Sequence, residues 1–202
     1  MPSKMSECYE VIKDDILRMR LPADEIINEK ALAEQYGASK TPVREALAML
    51  VQEGYLKKIP RVGYLIRQIS SEEFAQLNYL RFTLEKGVVE WIIHRCTEEQ
   101  ILSLRDCCRE TDVAYRDFAT VNYRFHMAMA KLTGNQYLYE SVRHVFDRMI
   151  RRPSEYLYAE IQHDPHVYHL QLVEAMRQRD EAKALELVRH ECRRDEAPDS
   201  VI

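Results

Sequence analysis

Asn122 and His126 stand four residues apart in a stretch of helical pattern, so both side chains leave the same side of the helix. His169 and His190 fall on two further segments of helical periodicity. In an antiparallel bundle, side chains from three such helices can converge on one point. Three imidazoles and an amide oxygen would suit a divalent cation such as Zn2+, Ni2+ or Mn2+, with positions left open for water or a ligand. The chain carries seven histidines, so spacing alone equally allows these three to be ordinary core or surface residues.

A second chemistry is carried by Ser39-Lys40-Thr41-Pro42-Val43-Arg44-Glu45-Ala46-Leu47. Short hydroxyls and long cations at the start of a helix are the groups that touch base edges and phosphates in a DNA major groove. Ser39 or Thr41 can cap that helix, and Pro42 is tolerated in its first turn because no N–H is needed there. Val43, Ala46, Leu47, Leu50 and Val51 recur at helical spacing and form its buried face. Upstream lies a shorter helical segment, Asn28 to Tyr36, which carries Lys30, and Gly37-Ala38 makes the turn between the two. This is the form of a helix-turn-helix.

Two β-prone runs follow, Tyr55–Ile59 and Tyr64–Arg67, separated by the turn residues Pro60-Arg61-Val62-Gly63. A hairpin placed directly after a recognition helix is a wing, with Arg61 at its tip. Residues 40–67 hold six Lys or Arg against two Glu, within a chain of formal net charge −4. Local basicity inside an acidic protein is an electrostatic footprint for DNA. The candidate DNA contacts are Lys30, Ser39, Lys40, Thr41, Arg44, Arg61 and Gly63.

The remaining pattern supplies the scaffold. Tyr9, Ile12, Ile16 and Met19 share one face of a helix over residues 7–20, closed by Leu21-Pro22 and expected to pack beneath the helix-turn-helix. Beyond Ile69-Ser70-Ser71 the pattern is helical throughout. A long helix running to about residue 94 has Phe74, Leu77, Leu80, Leu84, Val88 and Trp91-Ile92 as its apolar positions. Thr97 caps the next. A third covers about Ala119 to Leu132, a fourth is capped by Asn135, a fifth spans about 164–178, and a sixth is capped by Asp180. Tyr156-Leu157-Tyr158 is expected to pack the bundle. The expected architecture is mainly α, with a winged helix-turn-helix over residues 1–69 and an all-helical bundle over residues 70–202.

Composition agrees with a globular protein: 46% hydrophobic and 31% charged residues, with only five glycines. No apolar run is long enough to span a membrane and the N-terminus lacks a signal-peptide pattern, so a cytoplasmic location is expected. The five cysteines have no CxxC spacing and read as reduced, mainly buried thiols.

Residues 21–70 resemble the winged helix-turn-helix of the GntR superfamily of bacterial transcription regulators. The resemblance is carried by Leu32-Ala33, Gly37, Ser39, Thr41-Pro42-Val43-Arg44-Glu45-Ala46-Leu47, Leu50, Glu53-Gly54, Pro60 and Gly63. Family members usually carry Arg where this chain has Lys40, which keeps the charge but not the bidentate fork that reads guanine. Residues 71–202 resemble the FCD ligand-binding domain of the FadR branch of that superfamily. Three stretches carry this: Leu80-Arg81…Leu84-Glu85, Asn122-Tyr123-Arg124-Phe125-His126…Gly134-Asn135, and His169…Ala175-Met176…Asp180…Ala184…His190.

The resemblance implies a divalent metal held by an Asp and three His in the bundle centre, helping to bind a small organic acid. Carried onto this chain, the ligands are Asn122 in the Asp position, His126, His169 and His190. An amide is a poorer ligand than a carboxylate. Arg81 would lie near the pocket, either clamping the effector's carboxylate or forming a salt bridge to Glu85 one turn on.

The resulting expectation is a ligand-responsive DNA-binding regulator, a repressor, acting as a homodimer on a two-fold operator. Two alternatives stay close to it: a metal sensor, and a pocket that binds its effector without metal. A metal-dependent hydrolase is the reading from another class. It would need a general base beside the metal, and no acidic residue in the His126 or His190 stretches suits.

Overall fold

The computed structural model describes residues 3–18, 20–21, 25–108, 115–151 and 165–194, with the backbone alone for 115–120, 165–166 and 193–194. Met19, Pro22 and Tyr156-Leu157-Tyr158 lie outside the described residues. The chain divides into two compact units, residues 1–68 and 69–202.

The first unit opens with α1 (Lys4–Leu17), capped by Ser3, whose hydroxyl accepts from the Ser6 N–H at 3.2 Å. Then come α2 (Glu29–Gln35), α3 (Lys40–Gln52) and the antiparallel pair β1 (Leu56–Ile59) and β2 (Gly63–Ile66). Asn28 caps α2 through the Lys30 N–H at 2.8 Å. Ser39 occupies the N-cap position of α3 but makes no side-chain cap, and Thr41 is already inside the helix, so the capping read from the sequence is not made. Val43, Ala46, Leu47 and Leu50 are fully buried and pack α3 on α1 through Ile12 and Ile16, whereas Val51 is only half-buried. Tyr9 donates to Glu53 at 2.8 Å, with Lys13 3.1 Å from the same carboxylate, tying α1 to the end of α3.

The hairpin register pairs Leu56 with Ile66 and Ile59 with Gly63. Tyr64 also bridges to Ile27, which holds the wing against the segment before α2. That approach is why residue 63 is glycine. Its φ is 153°, and an added Cβ would stand 2.5 Å from the Ile27 carbonyl oxygen.

The second unit begins at Ile69, whose N–H donates to the Arg151 carbonyl at 3.0 Å and whose side chain packs with Phe74, Val145 and Met149. Its elements are α4 (Ser71–Arg95), α5 (Glu98–Ser103), a 3-10 turn (Leu104–Cys108), α6 (Tyr115–Leu132), α7 (Gln136–Met149), α8 (Pro165–Arg177) and α9 (Glu181–Arg194). Ser70, Thr97, Asn135 and Asp180 cap α4, α5, α7 and α9, each accepting a backbone N–H at 3.0–3.2 Å. The long α4 packs against α6, α7, α8 and α9. Val88, Val89 and Ile92 enter the core, while Leu80 and Trp91, read from the sequence as core positions, turn outward at 45% and 42% exposure. The turn between α8 and α9 clasps the end of α4: Arg179 donates to the Ile92 carbonyl at 3.2 Å and the Cys96 carbonyl at 2.8 Å. Cationic donors at a helix C-terminus satisfy carbonyls that the helix leaves unpaired. Among the described residues no helix is long and apolar enough to cross a membrane. None of the five cysteines is in a disulfide; Cys107 is half-buried and the others are buried.

Candidate functional site

Two groups of chemically active side chains stand out, one in each unit. In the first unit, Lys30, Lys40, Arg61 and Gly63 line one groove of about 410 Å³, together with Lys58 and Tyr64. Four cations therefore face one concavity between the starts of α2 and α3 and the wing. Ser39, Thr41 and Arg44 do not line the groove; they are exposed at the start of α3. Glu29 is the groove's anion, and the Tyr64 hydroxyl donates to it at 2.9 Å.

In the second unit α4, α6, α8 and α9 bring Arg81, Glu85, Asn122, His126, His169 and Glu191 together. Five of them are nearly inaccessible: Arg81 2%, Glu85 1%, His126 1%, His169 0% and Glu191 5%. One helical turn on α6 brings the Asn122 Oδ1 to 3.2 Å from the His126 Nε2, and the same oxygen is 3.0 Å from the His169 Nε2 of α8. From α9, the Glu191 Oε1 lies 3.0 Å from His126 Nε2 and 3.9 Å from His169 Nε2. Aromatic walls hold the imidazoles. Phe125 stacks on His169 at 4.0 Å between centroids, and Phe146 stacks on His126 at 4.9 Å.

The sequence reading placed His190 in this cluster, and the structure does not. His190 is exposed on the outer side of α9, stacked on Tyr168 with its Nδ1 3.0 Å from the Tyr168 hydroxyl. Glu191 stands in its place. The signal was in the helix phase. Ala184, Leu187, Val188 and Cys192 define the buried face. At about 100° per residue, position 191 lies about 40° from that face's centre and position 190 about 140° away. Glu85, read only as a possible partner of Arg81, also contacts the cluster, its Oε1 lying 2.5 Å from the His126 Nδ1.

Electrostatics follow from the pairing. Burial alone would lower the pKa of His126, but the carboxylates of Glu85 and Glu191 outweigh it and raise the group to about 9. Burial lowers His169, which has no carboxylate as near. For Glu191, burial works upward, yet His126 and Arg81 hold its carboxyl well below the usual range. Arg81 donates through Nη2 to Glu191 at 2.6 Å and through Nε to Glu85 at 3.2 Å, with its guanidinium 4.7 Å above the Phe146 ring. The salt bridge to Glu85 weighed from the sequence is thus present, with Glu191 as a second partner.

The donor set suits a metal. His126 Nε2, His169 Nε2 and Glu191 Oε1 can all lie within 4.8 Å of one another, and Asn122 Oδ1 adds a fourth donor. Tetrahedral Zn2+ with bonds of about 2.0–2.1 Å spaces its ligand atoms about 3.3 Å apart. The observed separations of 3.0, 3.0, 3.2 and 3.9 Å bracket that value. Burial favours the neutral form of His169, whereas His126, raised to about 9, has to give up a proton to ligate a metal; Glu85 Oε1 lies 2.5 Å from its second nitrogen.

Comparison with known proteins fits both units. The model for "Bacterial regulatory proteins, gntR family" matches residues 4–66, and that for "FCD domain" matches residues 65–193. The chain belongs to the GntR family of bacterial regulators. It is a DNA-binding transcriptional regulator with an FCD domain. The uncharacterized HTH-type transcriptional regulator YdhC of Bacillus subtilis (strain 168) is 29% identical over 145 residues, covering 69% of this chain and 65% of that protein, so this match spans just under two thirds of the relative. The HTH-type transcriptional repressor GlaR of Escherichia coli (strain K12) is 27% identical over 90% of this chain and 89% of its own length. The solved structure of E. coli McbR/YncC superposes with a TM-score of 0.76, covering 96% of this chain and 95% of that one at 21% identity, a likeness of fold. Both relatives bear the names of transcription regulators. Two carboxylates that sequence reasoning did not place do stand beside the histidines. Both are engaged, Glu191 with Arg81 and His126, and Glu85 with His126 and Arg81.

Proposed function

We propose that this regulator is a homodimeric repressor whose helical unit binds a divalent cation at Asn122, His126, His169 and Glu191, and with it a small carboxylate effector. The observation that carries the reading is the convergence of two imidazole nitrogens and two oxygens from α6, α8 and α9 at 3.0–3.9 Å in a buried site. A bound cation would present a Lewis-acidic centre to an effector's carboxylate. Zn2+, Ni2+ and Mn2+ all accept such mixed nitrogen and oxygen donors. Compared with the Asp and three His that the resemblance implies, the proposed set has its carboxylate at position 191 and two histidines, so it keeps one negative charge.

On the DNA side, Lys30, Lys40 and Arg61 meet phosphates across the groove, while Ser39, Thr41 and Arg44 reach bases and backbone from the start of α3. Gly63 serves by letting the wing approach Ile27. Two copies are needed because a two-fold operator presents its half-sites to two recognition helices. Effector binding changes operator affinity, and operator binding changes effector affinity by the same factor.

Elemental analysis of protein purified without added metal tests the centre. About one equivalent per chain is expected in the wild type, lost in His126→Ala and in Glu191→Ala. A carboxylate library is then screened by thermal shift, and hits are tested for release of operator DNA. A second reading, an effector pocket that works without metal, is favoured by the Arg81–Glu191 ion pair at 2.6 Å, which neutralises the carboxylate from within the protein. It is the outcome if the wild type holds no metal and a carboxylate still raises its melting temperature.

A further inference from the structure

We propose that Arg81 is the built-in counter-cation of the ligand set, and that its guanidinium and a divalent metal compete for Glu191. The inference rests on the metal reading above. Three ligand-bearing helices, α6, α8 and α9, supply the donors, and a fourth, α4, supplies a cation to the same point. Arg81 Nη2 lies 2.6 Å from Glu191 Oε1 and 3.1 Å from His126 Nε2. Those are two of the atoms that would face a metal. A guanidinium and a divalent ion cannot both occupy positions this close to the same oxygen in a buried site, because like charges repel strongly where water does not screen them.

Arginine cannot relieve that repulsion by losing a proton, as a guanidinium stays protonated in proteins. It has to move. The side chain has a pivot for doing so: Arg81 Nε donates to Glu85 at 3.2 Å, and Glu85 contacts the other side of His126. Glu85 can retain the Nε end while the Nη2 end leaves Glu191. The displaced N–H donors then need a new acceptor, since a buried guanidinium without one is costly. A carboxylate matches that fork in a bidentate geometry. The competition therefore implies an order, in which metal uptake prepares Arg81 to receive the acid. Without metal, an acid has to displace Glu191 from the same guanidinium.

The test compares wild type with Arg81→Met, which keeps a long apolar stem and removes the charge. Zinc alone is the probe, with affinity measured in the full chain against a chromophoric chelator and melting temperature measured in EDTA. The expected result is zinc affinity at least tenfold tighter in Arg81→Met, together with a lower melting temperature in EDTA. Equal or weaker zinc binding in Arg81→Met overturns the proposal. If the wild type takes up no zinc at all, the metal reading itself has failed and the proposal goes with it; the wild-type measurement separates that case from failure of the competition alone. Should Arg81→Met not fold, side-chain NMR of arginine-labelled wild type decides. Zinc is expected to shift a protected guanidinium signal present in EDTA, and every such signal staying in place with zinc bound refutes the competition.

Discussion

Glu191→Gln and His190→Ala, measured side by side in EDTA, separate two adjacent positions that a helix-register error of one residue would exchange. Glu191 is 5% exposed and receives Arg81 at 2.6 Å, with His126 3.0 Å away. Gln keeps the shape and one acceptor oxygen but removes the charge. Removing one partner of a buried pair costs about 3–5 kcal/mol. Arg81 retains Glu85 at 3.2 Å, so the low end applies, about 3 kcal/mol. For a unit of this size each kcal/mol moves the melting temperature by about 3–4 °C, which makes the expected drop about 10 °C. His190 is exposed, and its contacts among the described residues are the stack and hydrogen bond to Tyr168. Its loss should stay within about 1 kcal/mol, or about 3 °C. The assay is thermal unfolding of the helical unit followed by circular dichroism, repeated after zinc addition. His190→Ala retains the zinc-induced rise and Glu191→Gln loses most of it. A drop for His190→Ala as large as that for Glu191→Gln would refute the placement of α9's inner face.

Arg44→Ala should weaken binding to operator and non-operator DNA and lower the slope of log affinity against log salt by about 1 if the side chain meets one phosphate, read by fluorescence anisotropy across a salt series. Gly63→Ala should destabilise the winged unit by about 1–3 kcal/mol, since the new Cβ meets backbone at 2.5 Å; unchanged stability in urea would contradict that approach. Burial, with Cys107 beside it, pushes the Cys108 thiol up to about 11. Roughly one part in a thousand is thiolate at pH 8, so Cys108 should alkylate far more slowly than free cysteine in native protein, as read by mass spectrometry.

Much of the architecture was legible because it is local. The 3.6-residue spacing of Val43, Ala46, Leu47 and Leu50 predicts the buried face of α3, and all four are inaccessible. Asn135 and Asp180 do cap the helices that follow them, because a cap depends on a few consecutive residues. The wing's turn was visible in Pro60-Arg61-Val62-Gly63, although the reason for glycine, the Ile27 backbone pressed against it, is a contact across 36 positions of sequence.

The chemistry was only half legible. Asn122 and His126 share a helix turn, so their meeting needs no knowledge of the fold. The third and fourth candidate donors depend on the rotation of α8 and α9 about their own axes, which tertiary packing decides. A histidine at 190 is a better-looking ligand by residue type than a glutamate at 191. The burial of Leu187, Val188 and Cys192 nonetheless turns Glu191 inward and leaves His190 in solvent. Arg81 shows the same division. Its charge and its spacing to Glu85 belong to the sequence, but its engagement with Glu191, 110 residues away, exists only because α4 and α9 pack side by side. The sequence by itself determined which helices form and which residues could ligate or carry charge, because those follow from neighbours along the chain. Only the tertiary structure decided which of them face one another, because that depends on how each helix buries its apolar face against the others.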